Sequence, residues 1–314
     1  MAYRLERAES VIQSLKRIVR REMEAAAAPL LNRENRTGKK KPERDEAIHE
    51  ARKSVKKTRA VLRLVRAELG DIQAQEDARL QDVSHRLSTF RDALVTVETF
   101  DDLKDKYKSE TRQKLRSVRV GLMKRRHETA QKEDAAVILQ GAGVALRNTA
   151  KRVDGWPLKT DGYAAIGPGF EETFRAGRKA LARVRKDPRA ENFHELRKKI
   201  KDHWYHVRLL EGPLASMSAY EKKLKDLEDW LGDDHNLVVL RETIMSDPEA
   251  YGKPKDIDLV LQLIEKRQKK LRKRSLSLAR RVYDRKPRAF NRRVERLWDV
   301  WRERKFVPVS STAA

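Results

Sequence analysis

The sequence contains no cysteine, which removes disulfide frameworks and thiolate metal sites and suits a reducing interior. No apolar run approaches the length of a membrane span, and the N-terminus, MAYRLERAESVIQ, lacks the apolar centre of a signal peptide. The expectation is a soluble, cytoplasmic protein without a membrane partner. Aromatic residues make up only 6% of the chain, sparse for a protein that interleaves rings with basic groups to stack nucleic-acid bases. No segment reads as a convincing strand, so the expected fold class is all-α. Carboxylates are also short: 48 Asp and Glu against 73 Lys and Arg leave a net charge of +25. That balance points to a polyanion or an anionic surface as partner.

What the chain has in plenty is one basic helical stretch, written twice. Residues 47–65 read AIHEARKSVKKTRAVLRLV and residues 192–210 read NFHELRKKIKDHWYHVRLL. At a constant offset His49 matches His194, Glu50 matches Glu195, Arg52 matches Arg197, Lys53 matches Lys198, Lys56 matches Lys201 and Arg63 matches Arg208. Such a recurrence marks a duplication. On a helix, Arg52, Lys53, Lys56 and Arg63 fall within roughly 60° of His49. Ala51, Val55, Leu62, Val65 and Leu69 take the opposite, packed side. The second copy sorts alike, with Leu196, Ile200, Val207 and Leu210 inward and His194, Arg197, Lys198, Lys201 and Arg208 together. A basic stripe is ordinarily a solvated face. Here the same residue types recur at the same spacing, and almost no carboxylate is expected within either stripe, so an external anion is the natural counter-charge.

Around these stripes the periodicity predicts helices over 4–31, 74–97, 101–131, 134–152, 170–186, 219–245, 255–284 and 288–304, with a basic loop at 32–44 that contains Lys39, Lys40 and Lys41. The segment DGWPLKTDGYAAIGPG predicts a linker over 154–169 between a first unit, 1–153, and a second, 170–304. Residues 305–314 are expected to be a mobile tail. Near equivalent helix ends, Arg91 follows Leu87-Ser88-Thr89-Phe90 and His235 follows Leu231-Gly232-Asp233-Asp234; phosphate contact and helix-end capping both suit them. Arg112, Arg119 and Arg126 recur every seventh residue beside packing leucines, as do Arg267, Arg274 and Arg281. Either these arginines face a wet cavity or their stems cover the core while the guanidinium groups reach water. His203 falls on an apolar face and reads as a core residue, and His85 and His127 have no evident partner.

The His-Glu-x-Arg-Lys helix, its repeat and the Leu-x-x-x-Arg-Asp and Leu-Gly-Asp-Asp-His-Asn segments resemble the CHAD family, named for a histidine-containing α-helical domain, over about residues 5–304. The resemblance implies two pseudo-symmetric four-helix bundles with a basic cavity between them that binds inorganic polyphosphate. Some members associate with polyphosphate granules, and many are fused to a CYTH-type triphosphatase. It implies His49, Arg52, Lys53, Lys56, His194, Arg197, Lys198 and Lys201 as ligand residues, with Arg91 and His235 nearby. Two departures stand out. Ser88 occupies the place where the family often has the glycine matched by Gly232, and there is no Glu-x-Glu-x-Lys signature, so triphosphatase activity is not inferred.

The chemistry of the stripes agrees with such a ligand. Polyphosphate carries about one negative charge per phosphate and no bases, so its receptor needs closely spaced permanent donors. Arginine forks and lysine point charges supply them, and an approaching anion raises a histidine's pKa, so binding should strengthen as pH falls toward 6. The expectation is a non-catalytic protein, without metal or cofactor, whose single cavity is lined by both stripes together with Arg63, Arg208, Arg119, Arg126, Arg267 and Arg274. Two alternatives remain open: weaker, non-specific nucleic-acid binding, and a histidine phosphotransfer module built on His49-x-x-Arg52-Lys53. Trp204 and Tyr205 flank the second stripe, whereas their equivalents are Arg59 and Ala60.

Overall fold

A computed structural model of the chain describes residues 3–33, 41–111, 115–130 and 135–303. The expectations for the lysines at 39 and 40, for Arg112 and for the tail lie outside them. Among the described residues every element is a helix, and none is long and apolar enough to cross a membrane. In chain order these are α1 (Val11–Leu31), α2 (Lys41–Leu64), α3 (Arg66–Leu69), α4 (Asp71–Arg86), α5 (Ser88–Lys106), α6 (Lys108–Thr111), α7 (Arg116–Ala130), α8 (Ala135–Arg152), α9 (Tyr163–Lys186), α10 (Ala190–Leu209), α11 (Ser218–Ser246), α12 (Pro254–Val282) and α13 (Pro287–Glu303). Local signals set several boundaries. Ser10 and Gln13 form a reciprocal cap at the start of α1, and a proline opens both α12 and α13, where its missing N–H costs nothing.

The repeat reappears as a repeated pattern of neighbours. α1 packs on α2 and α8, as α9 packs on α10 and α13; α5 packs on α7, as α11 packs on α12. The apolar cores divide differently. The larger core draws on α1, α2, α3, α4, α8, α9, α10, α13, the start of α5, the first half of α11 and the end of α12. The smaller one comprises parts of α5, α7, α11 and α12. Both cores therefore mix the two sequence halves, and neither coincides with 1–153 or 170–304. The physical reason lies in α5 and α11, which run from one core into the other: Phe90 and Leu231 belong to the larger core, Val97 and Leu237 to the smaller.

Three expected boundaries shift. The single helix over 74–97 is broken at Leu87, where the Ser88 hydroxyl donates to the His85 carbonyl at 2.7 Å, a local bond that competes with the helical ladder. Its counterpart α11 runs unbroken through Gly232. The helix over 101–131 is interrupted after Lys106, and Leu115, buried with a φ of 75°, precedes α7. The expected linker at 154–169 is helical from Tyr163 onward, with Ile166 and Gly167 buried.

That last correction has a packing cause. A Cβ on Gly169 would sit 1.9 Å from the Leu64 carbonyl oxygen, so the glycine lets α9 cross the end of α2 at backbone contact. Gly169→Ala should lower stability by about 2–3 kcal/mol through forced separation of these helices, read as a shifted urea midpoint; an unchanged midpoint would mean the crossing is not tight.

Helices α2 and α10, which carry the stripes, pack directly on each other. His206 donates its Nε2 proton to the Ala60 carbonyl at 2.7 Å, and Arg63 reaches Asp202 at 3.0 Å. His203 is buried among Phe170, Phe174, Tyr220, Tyr283 and Phe290, with its Nδ1 3.3 Å from the Tyr283 hydroxyl. Burial pushes His203 down to about 3 and His206 to about 4, so both are neutral core residues.

Candidate functional site

Where α5 and α11 pass from one core to the other, they face the stripes of α2 and α10 across a cavity of about 420 Å³. His49, Arg52, Lys53 and Lys56 enter it from α2, and Arg197 and Lys201 enter from α10. Arg91, Asp92 and Val95 of α5 form the opposing wall together with Lys225, Glu228, Asp229, Gly232, Asp233, His235, Asn236 and Val239 of α11. Seven Lys and Arg side chains against four carboxylates line the basin, so its field is positive with histidines neutral. The basin exists because the unpacked interval between two cores coincides with the basic face of both repeated helices.

The deepest cations are crowded. Burial holds the Lys56 ammonium well below the ordinary lysine range, and the neighbouring charges of Lys201, Arg52 and Arg197 add to the effect. Lys56 makes no ion pair or hydrogen bond among the described residues. Arg52 donates to the Ser84 carbonyl at 2.6 Å, and the Arg197 Nε is buried without a hydrogen-bond partner. Two carboxylates face this cluster: Glu228, 8% exposed, accepts from Lys201 at 2.5 Å and lies 3.9 Å from Arg197, and Asp92 acts on Arg52 and Lys56 at longer range. Burial pushes the Glu228 carboxyl up, yet Lys201 and Arg197 outweigh it and hold the group below its usual value. Lys201 itself is lowered by burial, with Glu228 opposing. Two carboxylates, Glu228 and Asp92, against the four crowded cations Arg52, Lys56, Arg197 and Lys201 leave a local excess of positive charge.

The histidines form a second tier. His194 does not line the basin wall but lies against His235, which does, with ring centroids 4.2 Å apart and ring planes tilted by 36°. The His194 Nδ1 is buried and unpartnered. Burial, then the charge of Arg197, then His194, Lys56 and Lys198, push His235 down to about 3. His49 is lowered by burial and by Arg91, and His194 by burial and by Lys198 and Arg197.

Several expectations are corrected here. The stripes do contain counter-charge: Lys53 pairs with Glu50 at 2.9 Å and Lys198 with Glu195 at 2.6 Å. Arg63 is neutralised by Asp77 and Asp202, and Arg208 lies over Trp204 and Tyr3; neither lines the basin. The heptad-spaced arginines are outside it as well. Arg119 pairs with Asp101 at 2.7 Å on the surface, and Arg126 pairs with Asp45 at 2.7 Å beside a separate cavity of about 200 Å³. Arg267 approaches Asp233 at 3.4 Å in an adjoining pocket, Arg274 covers the Trp230 ring at 4.2 Å, and Arg281 is exposed. Their stems lie along packing stripes while their charged ends find carboxylates, an indole or water, which is the snorkelling alternative. Asp92, Lys225, Glu228, Asp229 and Trp204 were not anticipated as lining residues; the polar turn of α11 just before Gly232 was the available signal for Lys225, Glu228 and Asp229.

Comparison with known proteins agrees with this architecture. A family model described as CHAD domain matches residues 23–245, more than two thirds of the chain. The crystal structure of the CHAD domain from the plant Ricinus communis aligns with a TM-score of 0.56 at 18% identity, covering 90% of this chain and 95% of that one, a likeness of fold. No curated protein matches the chain.

Proposed function

The chain belongs to the CHAD family, and on that premise we propose that it binds inorganic polyphosphate, without turning it over, in the basin between α2, α5, α10 and α11. The observation that carries this reading is the Lys56 cluster, in which Arg52, Lys56, Arg197 and Lys201 crowd one another with only Glu228 and Asp92 to offset them. A chain of phosphates supplies one oxyanion after another at the spacing of such donors, and relieves both their repulsion and their desolvation. A single phosphate chain is far slimmer than a nucleic-acid duplex, so a basin of about 420 Å³ favours polyphosphate over duplex DNA. Granule association would follow if the basin grips long chains.

The test is a competition titration at near-physiological salt, with labelled long-chain polyphosphate challenged by duplex DNA, single-stranded RNA and pyrophosphate. Polyphosphate should win by orders of magnitude, and Arg52→Ala with Arg197→Ala should remove the margin. Equal competition by DNA, with the double substitution weakening all ligands alike, would make the charge a general polyanion attractor.

Binding should also take up protons. His49, His194 and His235 are neutral in the free protein because burial and neighbouring cations depress them, and a bound anion reverses the second cause. The bound state then holds more protons, so affinity rises as pH falls, by up to about tenfold per pH unit for each proton gained. The depressed free-state values carry the gain from pH 7 down past 6. Its lower limit is set by His203 and His206: both are neutral when folded, so unfolding takes up protons below about 6.5 and stability declines there. Calorimetry in buffers of different ionisation enthalpy reads the proton uptake directly; no uptake between pH 7 and 5.5 would refute the histidine role.

A further inference from the structure

The two ends of the basin differ chemically. At the α10–α11 end Trp204 and Tyr205 join the lining together with Glu228 and Asp229. The matching positions of the first copy are Arg59, held by Asp77 at 2.8 Å, and Ala60, fully buried, so the α2 side brings no ring. Trp204 is fixed in orientation: its Nε1 donates to Glu221 at 3.2 Å, and the Arg208 guanidinium lies 5.1 Å from its ring centroid. The Lys225 ammonium lies 5.4 Å from the same centroid and pairs with Asp229 at a half-exposed site.

Inorganic polyphosphate has no π-face to stack and no hydrogen to donate to a carboxylate. An indole with an adjacent carboxylate at the edge of a phosphate basin is suited to a phosphate chain that ends in a nucleoside. Resting on the polyphosphate reading of the same site, we propose that the basin also takes nucleoside polyphosphates. The phosphates occupy Lys56, Arg52, Arg197 and Lys201; the base lies on the Trp204 face that Lys225 covers in the free protein, while Lys225 turns to the phosphates. Asp229, released by Lys225, accepts from an exocyclic amino group, so adenine is preferred to uracil, which has none.

Titration calorimetry with inorganic tripolyphosphate, ATP and UTP at one salt concentration tests this, on wild type, Trp204→Ala, Trp204→Phe and Lys56→Met. ATP should bind about tenfold tighter than tripolyphosphate, with UTP between them. Trp204→Ala should erase that advantage, bringing the ATP and tripolyphosphate constants to within about twofold of each other, and Trp204→Phe, which keeps a stacking face and guards against misfolding, should retain most of it. Lys56→Met should weaken all three ligands. If ATP binds no tighter than tripolyphosphate, or Trp204→Ala weakens both alike, the nucleoside inference falls while the polyphosphate reading stands. If ATP binds tightly and ignores Lys56→Met, the nucleotide sits elsewhere and the inference again falls. If Lys56→Met leaves long-chain polyphosphate unaffected too, the shared reading of the basin falls with it.

Discussion

Lys56→Met is expected to weaken long-chain polyphosphate binding by about a hundredfold and, in the same variant, to raise the stability of the free protein by about 1–2 kcal/mol. Both effects follow from one fact: the ammonium is buried on α2 without an ion pair, and Lys201, Arg52 and Arg197 beside it outweigh the more distant Glu228 and Asp92. Methionine keeps the length and the packing of the stem, and removes the repulsion. A residue kept for stability would show the opposite sign, since its loss would lower the unfolding midpoint. Urea unfolding of the free protein, set beside a binding titration, separates the two. Lower stability with unchanged affinity would remove Lys56 from the site; higher stability with lost affinity is the mark of charge retained for a ligand.

Glu228→Gln tests the other side of the same balance. Glu228 is the anion that Lys201 and Arg197 share, and replacing it with a neutral amide leaves buried cations without compensation. The free protein should lose about 3 kcal/mol of stability. Saturating polyphosphate should restore much of that loss, because the phosphates then supply the missing charge and bind more tightly once the carboxylate no longer competes for Lys201. Unfolding with and without polyphosphate reads both. If the variant is as stable as wild type, or if its loss is indifferent to polyphosphate, then Glu228 is not the internal stand-in for the ligand.

The helical class, the packed faces and the repeat were legible in residue order alone. Val55, Leu62, Leu196, Ile200 and Val207 are buried as their spacing requires, because helical periodicity is a local property that a 3.6-residue turn imposes wherever a core exists to receive it. The grouping of His49, Arg52, Lys53 and Lys56, and of Arg197 and Lys201, was equally local. It needed only one helix to be read.

Tertiary structure decided where each stripe ends and what opposes it. Arg63 and Arg208 share a helical face with the basin residues, yet they lie beyond the interval between the cores, where Asp77 and Asp202 or Trp204 and Tyr3 meet them. Arg119 and Arg267 keep their heptad spacing and leave the cavity, because a side chain at the edge of a packing stripe goes to whichever carboxylate the neighbouring helix offers. Glu228 and Asp92 sit far along the chain from the cations they face, and no window of sequence contains both partners. The sequence by itself therefore determined the helices, their faces and a strong excess of positive charge. Only the folding of α5 and α11 across two cores determined which of those charges look into one basin and which are quenched by partners, since that depends on distances between helices that periodicity does not encode.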